Sequence, residues 1–325
     1  MGRNAKGALY PALVALVLSL FISNLYTEEA VEALAQRVLL AEKDGYCIYA
    51  GADVQGEIKQ YTRQELLQGL LLCVSGQTPI PEDMPVQQVR NVRKMIGLYV
   101  PVTEDVSLSE ETIYALCALC DENPLVRTWI VSGARSPAEQ AAVQNAAFEQ
   151  YRSMYSVAEA LQRAQQKAPL GGKSEHQLGT SFDLQFQGSL DWAYADPLDR
   201  SKDGRWLREN AWRFGFIRRY PPEKSQVTGV LGEELHFRYV GKTHAAVMQM
   251  TQWCLEEYLD ALHRYGGLTL ETPQGERAYV LCCEITEKGA AFRIPEGYVA
   301  APSADNQGYA VCALTPDQSL SAAER

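Results

Sequence analysis

The chain holds only four histidines, and two of them stand in segments whose residue types could do chemistry. The first segment, Gly171 to Phe186, reads GGKSEHQLGTSFDLQF and places His176 seven residues before Asp183. From Thr180 the residues alternate. Phe182, Leu184 and Phe186 take one face of a strand, and Ser181, Asp183 and Gln185 the other. His176 sits across a turn that Gly179 permits. Imidazole nitrogen and carboxylate oxygen are both zinc ligands. The same two side chains also suit a plain hydrogen bond at a strand edge.

The second segment, GEELHFRYVG, sets His236 in a strand pattern, with Leu235, Phe237 and Tyr239 on one face and His236 and Arg238 on the other. Glu233 falls on the wrong face by strict alternation, and Gly232 offers the turn or bulge that would bring it back. This differs from HExxH helices, whose ligands are one turn apart; strands and loops must assemble the site here. Two histidines and one carboxylate leave a zinc ion's fourth position open, the arrangement of a catalytic centre. Glu233 is then the candidate general base on water, and the neighbouring Glu234 reads as a solvent-facing carboxylate. Arg135, at a strand end in VSGARSPAEQ, is a candidate for stabilising an oxyanion.

The elements that must position these groups follow from pattern. VRTWIVS reads as a strand before Arg135, and a long helix is expected from Pro137 through Leu161. Pro169 and Gly171-Gly172 end it. SLSEETIYALCALCDEN opens on a capping pattern at Ser109 and reads as helix. RWLRENAWRFGF is a helix closed by Gly215, and one helix is expected over His244 to Gly266. His244, at its start, is a candidate to orient a ligand, and His263 suits the dipole at its end. Arg218 and Arg219 read as solvated charges.

Three segments together resemble the VanY-type D-alanyl-D-alanine carboxypeptidases of bacterial cell walls. Those are zinc peptidases in a wider group with the D-Ala-D-Ala dipeptidases and the hedgehog amino-terminal domain. The matching residues are Ser174, His176, Gly179 and Asp183, then Glu233 and His236, with Ser132-Gly-Ala-Arg135-Ser136 upstream. GFIRRYP and HFRYVG match as well, so the likeness runs from Val126 to His263 in the expected order. The resemblance implies Zn2+ held by His176, Asp183 and His236, Glu233 as base, Arg135 at the tetrahedral intermediate, and Ser174 and Gln140 beside the substrate. That substrate would be a peptidoglycan stem peptide ending in D-Ala-D-Ala. Ala134 and Leu235 stand where the family usually has tyrosine and tryptophan, which bears on substrate contacts more than on metal. Alternatives are an L,D-carboxypeptidase, an endopeptidase, or a non-catalytic zinc-containing wall-binding module.

The remaining sequence sets the context. Ala8 to Tyr26 carries no charge, follows Arg3 and Lys6, and precedes Glu28 and Glu29. A helix of that length reaches about 28 Å, close to the roughly 30 Å hydrocarbon core. It is expected to anchor the chain in the cell membrane with the catalytic part outside; a cleaved signal peptide is the competing reading. A net charge of −10 argues against a nucleic-acid partner. Eight cysteines permit disulfides outside the cytoplasm but match no dense framework, and Cys117 and Cys120 read as helix core. The expected organisation is an anchor over 1–27, a stalk and amino-terminal segment over 28–100 with a helix from Glu28 to Lys43, and a catalytic domain over 101–265. A small β appendage over 266–325 completes it. The fold class is α+β: a small antiparallel sheet with flanking helices carrying the zinc site.

Overall fold

The structure, a computed structural model, describes residues 38–188, 190–230, 233 and 235–317. The expected anchor, the first part of the stalk helix, the turn at Gly232 and Glu234 lie outside the described residues. Among the described residues no helix is long and apolar enough to cross a membrane.

The chemistry-bearing segments form a four-stranded antiparallel sheet in the order Thr128–Ser132, Ser181–Phe186, His236–Tyr239, Phe216–Arg218. Its register pairs Phe182 with Phe237 and Asp183 with His236. Alternation then sends the aromatic set to one face. There the Phe182 ring stacks on Phe237 at 6.0 Å and meets Phe216 edge-on at 5.5 Å. This face packs on the helix Glu110–Glu122 through Ile113, Leu116, Leu119 and Cys120. Ser109 caps that helix by accepting from the Thr112 N–H. The opposite face carries Asp183 and His236 together.

Two expected helices are each broken in two. Pro137–Arg152 and Val157–Lys167 are separate, and Ser156 caps the second by accepting from the Glu159 N–H. The break folds one on the other, so that Ala147 meets Ala164 and Ala168 beside Phe148 and Tyr151. A straight helix would leave that stripe in water. Likewise Lys242–Thr251 and Leu255–Tyr265 part at Gln252, whose φ of 58° is left-handed. In TRQELLQGLLLCV the helix is only Arg63–Leu67. Beyond it Leu70 and Leu72 turn their carbonyls to the Arg238 guanidinium, at 2.7 and 2.8 Å.

The first and last described strands belong to a second, larger sheet. Its antiparallel order is Leu39–Lys43, Tyr46–Ala50, Gly267–Glu271, Arg277–Glu284, Tyr309–Pro316, Tyr298–Ala304. The stalk helix expected to reach Lys43 is therefore corrected over its described end. Asp44 and Gly45, at φ 52° and 80°, make the tight turn of a hairpin there. The carboxy-terminal strands join this sheet through Gly267–Glu271, which pairs with Tyr46–Ala50. Pro302 is tolerated in Tyr298–Ala304 because that strand lies at the sheet edge. All eight cysteines are free thiols, and Cys117 and Cys120 pack in the helix core as expected.

Candidate metal centre

His176 stands on a single 3-10 turn, Glu175–Leu178, that Gly179 closes in a left-handed conformation at φ 73°. A side chain at Gly179 would strain that backbone and bring a Cβ within 2.7 Å of Val89 Cγ1. The His176 ring is fixed from behind: its Nδ1 lies 2.6 Å from the Gly133 carbonyl oxygen. Nε2 thereby points forward, 3.2 Å from Asp183 Oδ2. From the adjacent strand, His236 brings Nδ1 to 2.9 Å from Asp183 Oδ1. Donor atoms of the three residues all lie within 4.8 Å of one another. Both imidazoles are buried, whereas the Asp183 side chain stays 34% exposed toward a cavity of about 920 Å³.

That donor set fits zinc. Two imidazoles and one carboxylate, with a single open side, leave a place for water or substrate. The supporting groups fit as well. The Gly133 carbonyl orients one ring, and a buried carboxylate, Glu175, faces the other, its Oε2 at 3.6 Å from His236 Nε2.

The other expected residues line the same cavity: Glu233, Arg135, Ser174 and Gln140. Glu233 leads directly into the ligand strand, its carbonyl accepting from the His236 N–H at 3.1 Å. Burial pushes its carboxyl pKa up. The Arg135 N–H donates to the His176 carbonyl at 3.1 Å, so this arginine is tied to the ligand turn. Burial lowers the guanidinium pKa, against the pull of Asp183 and Glu233. Ser174 is 4% exposed. Gln140 donates to the Pro169 carbonyl at 2.6 Å, and its own buried Oε1 has no partner among the described residues. Leu235 lines the cavity and packs on the core, while Ala134 donates its N–H to the Ser107 carbonyl at 2.7 Å.

The electrostatics favour an ionised carboxylate between the rings. Burial opposes charge on Asp183, but His176 and His236 outweigh it and hold the pKa well below the ordinary value. Burial lowers the His176 pKa. It also works against charge on His236, yet the nearby carboxylates of Asp183 and Glu175 lift that ring to about 9.

Several residues in this region escaped the sequence reading. Arg219, expected in solvent, is 1% exposed. It donates to Glu175 Oε1 at 2.8 Å and to both Glu256 oxygens at 2.9 and 2.6 Å. Arg238, which alternation had set on the His236 face, is also fully buried and donates to Glu175 Oε1 at 2.6 Å. Burial opposes charge on Glu175, but the two guanidinium groups outweigh it and hold its pKa far down. Arg218 pairs with Asp196 at 2.6 and 2.7 Å rather than standing in solvent. His244 does not reach the site: its Nδ1 meets the Tyr258 hydroxyl at 2.6 Å, and burial lowers its pKa to about 3. His263 bonds Asp305 at 2.6 Å and stacks on Tyr309 at 4.0 Å.

Known proteins resemble this chain in sequence and in fold. Residues 108–242 match the family model described as D-alanyl-D-alanine carboxypeptidase, VanY. A D-alanyl-D-alanine carboxypeptidase of Enterococcus faecium is 26% identical over 252 residues, which is 76% of this chain and 75% of that protein. One of Enterococcus faecalis is 32% identical over 195 residues, covering 58% of this chain and 65% of that protein. In fold, the chain resembles the vancomycin-resistance D,D-dipeptidase VanXYg, solved with a D-Ala-D-Ala phosphinate analog. The TM-score is 0.67 at 22% identity, over 80% of this chain and 100% of that one.

Proposed function

We infer that this chain, which carries a VanY-family domain over residues 108–242, is a zinc-dependent D-alanyl-D-alanine carboxypeptidase. Its substrate is the peptidoglycan stem peptide, from which it removes the terminal D-alanine. The observation that carries the reading is the convergence of His176, Asp183 and His236 within 4.8 Å at a cavity that Glu233 and Arg135 also line.

His176 through Nε2, Asp183 through its carboxylate and His236 through Nδ1 would hold the ion. When bound, zinc supplies Lewis acidity toward a carbonyl and brings the pKa of water to about 7. Glu233 accepts the proton of the attacking water and returns one to the departing amine of D-alanine. A carboxyl raised by burial is suited to both tasks, being basic enough to take a proton and acidic enough to give it back. Arg135 donates to the oxygen that gains negative charge as the carbonyl becomes tetrahedral. Ser174 and the free Oε1 of Gln140 offer polar contacts to the peptide. The uncharged run from Ala8 to Tyr26 would keep this centre outside the cell membrane, where the wall is.

Incubation with a pentapeptide stem tests the reading. Mass spectrometry should show a tetrapeptide and free D-alanine, and a chelator should stop their appearance. Turnover of tetrapeptide but not pentapeptide would assign L,D specificity instead. Internal cleavage would make it an endopeptidase, and no chelator-sensitive product from either peptide would leave only a binding module.

A further inference from the structure

The Glu175 carboxylate is buried to 1% exposure between two cationic side chains, and only one of its oxygens is used by them. Oε1 accepts from Arg219 Nε at 2.8 Å and from Arg238 Nη1 at 2.6 Å. Among the described residues Oε2 has no hydrogen-bond partner, and neither has His236 Nε2, which faces it at 3.6 Å. Two buried groups that each lack a partner, one an anion and one a ring nitrogen able to carry a hydrogen, stand a few tenths of an ångström beyond ordinary reach. The other side of the ring explains the gap, since Nδ1 is drawn to 2.9 Å from Asp183 Oδ1. Ligands of a tetrahedral zinc with bonds of about 2.0–2.1 Å lie roughly 3.3 Å apart. Parting His236 from Asp183 by that difference moves the ring toward Glu175.

We propose that Glu175 is a positioning residue for His236: it holds a hydrogen on Nε2, so that the Nδ1 lone pair is the one presented to the metal position. Arg219 and Arg238 fix Glu175 in turn, and Glu256 balances them, giving two cations against two anions in one buried cluster. The cluster reaches beyond residues 108–242. Glu256 comes from the helix Leu255–Tyr265, and the Leu70 and Leu72 carbonyls receive Arg238 Nη2 at 2.7 and 2.8 Å. Residues on both sides of that stretch thus help position His236. His176 is arranged in the mirror sense. A carbonyl can only accept, so the Gly133 oxygen at 2.6 Å places the hydrogen on Nδ1 and leaves Nε2 as the donor atom.

This inference rests on the zinc reading, and the test separates the two. With 15N-histidine in the zinc-loaded full chain, long-range proton–nitrogen spectra resolve four imidazoles at most. His236 should carry its hydrogen on Nε2 and His176 on Nδ1; a hydrogen on His236 Nδ1, or ligation through its Nε2, overturns the proposal. Chelator competition should then show zinc affinity falling about 10–100-fold in Glu175→Gln, with partial recovery in Glu175→Asp. A folded Glu175→Gln protein that binds zinc as tightly as the parent overturns the role of Glu175 alone. A parent that takes up no zinc overturns the metal reading and this inference with it.

Discussion

Arg219→Met removes a charge that is 1% exposed and bound to two carboxylates. Three hydrogen bonds are lost: one to Glu175 at 2.8 Å and two to Glu256 at 2.9 and 2.6 Å. Glu256, with 21% of its side chain exposed, recovers some solvation. Glu175 cannot, and keeps Arg238 at 2.6 Å from its Oε1. Breaking a buried pair by removing one partner costs about 3–5 kcal/mol. With a urea slope near the upper end of about 1–3 kcal/mol per M, the midpoint should fall by roughly 1–1.7 M. The half-exposed pair Arg277–Glu271 serves as control, and Arg277→Ala should cost under about 1 kcal/mol. The pH dependence adds a sign. Because Glu175 is held below its ordinary value of 4.5, its contribution is present above pH 4.5 and is lost as pH falls below that toward the depressed folded value. The gap between parent and Arg219→Met should therefore narrow below pH 4.5. Equal midpoints for Arg219→Met and Arg277→Ala would refute the account of this cluster.

Glu233→Gln should keep stoichiometric zinc while slowing D-alanine release about 10²–10⁴-fold, the usual worth of a general base; turnover near the parent rate would remove Glu233 from that role. Since burial raises the Glu233 pKa and only the carboxylate can take a proton, kcat/KM should fall on acidification through a value above 4.5, an acid limb that Glu233→Gln should lack. Gly179→Ala forces a left-handed backbone on a residue with a Cβ and should cost about 1–2 kcal/mol, more if Val89 cannot yield, read as a lowered Tm. Removing zinc with a chelator should abolish D-alanine release, and adding zinc back should restore it.

The convergence of the candidate ligands was legible because each rests on local pattern. Alternation in Thr180–Phe186 and in His236–Tyr239 puts the aromatic residues on one face, and the register then aligns Asp183 with His236. Arg219 was misread because nothing near it in sequence shows what covers it; its partners come from 44 and 37 residues away. Arg238 is gripped by carbonyls about half the chain away. The helix breaks were hidden because apolar periodicity runs on through Ser153–Ser156 and past Gln252, and only tertiary packing gains from a bend there. At Asp44-Gly45 the signal was present, since that dipeptide favours a tight hairpin, but the flanking charges Glu42 and Lys43 read as an exposed helix. Pairing of Tyr46–Ala50 with Gly267–Glu271 depends on register across more than two hundred residues, which no local pattern carries.

X-ray absorption at the zinc edge of the purified, stoichiometrically loaded protein tests the central claim most directly. The account predicts a first shell of nitrogen and oxygen at about 2.0–2.2 Å with the multiple scattering of two imidazoles, and its loss when His176 or His236 is replaced. A shell of sulfur at about 2.3 Å, or an unchanged spectrum in those variants, would contradict it.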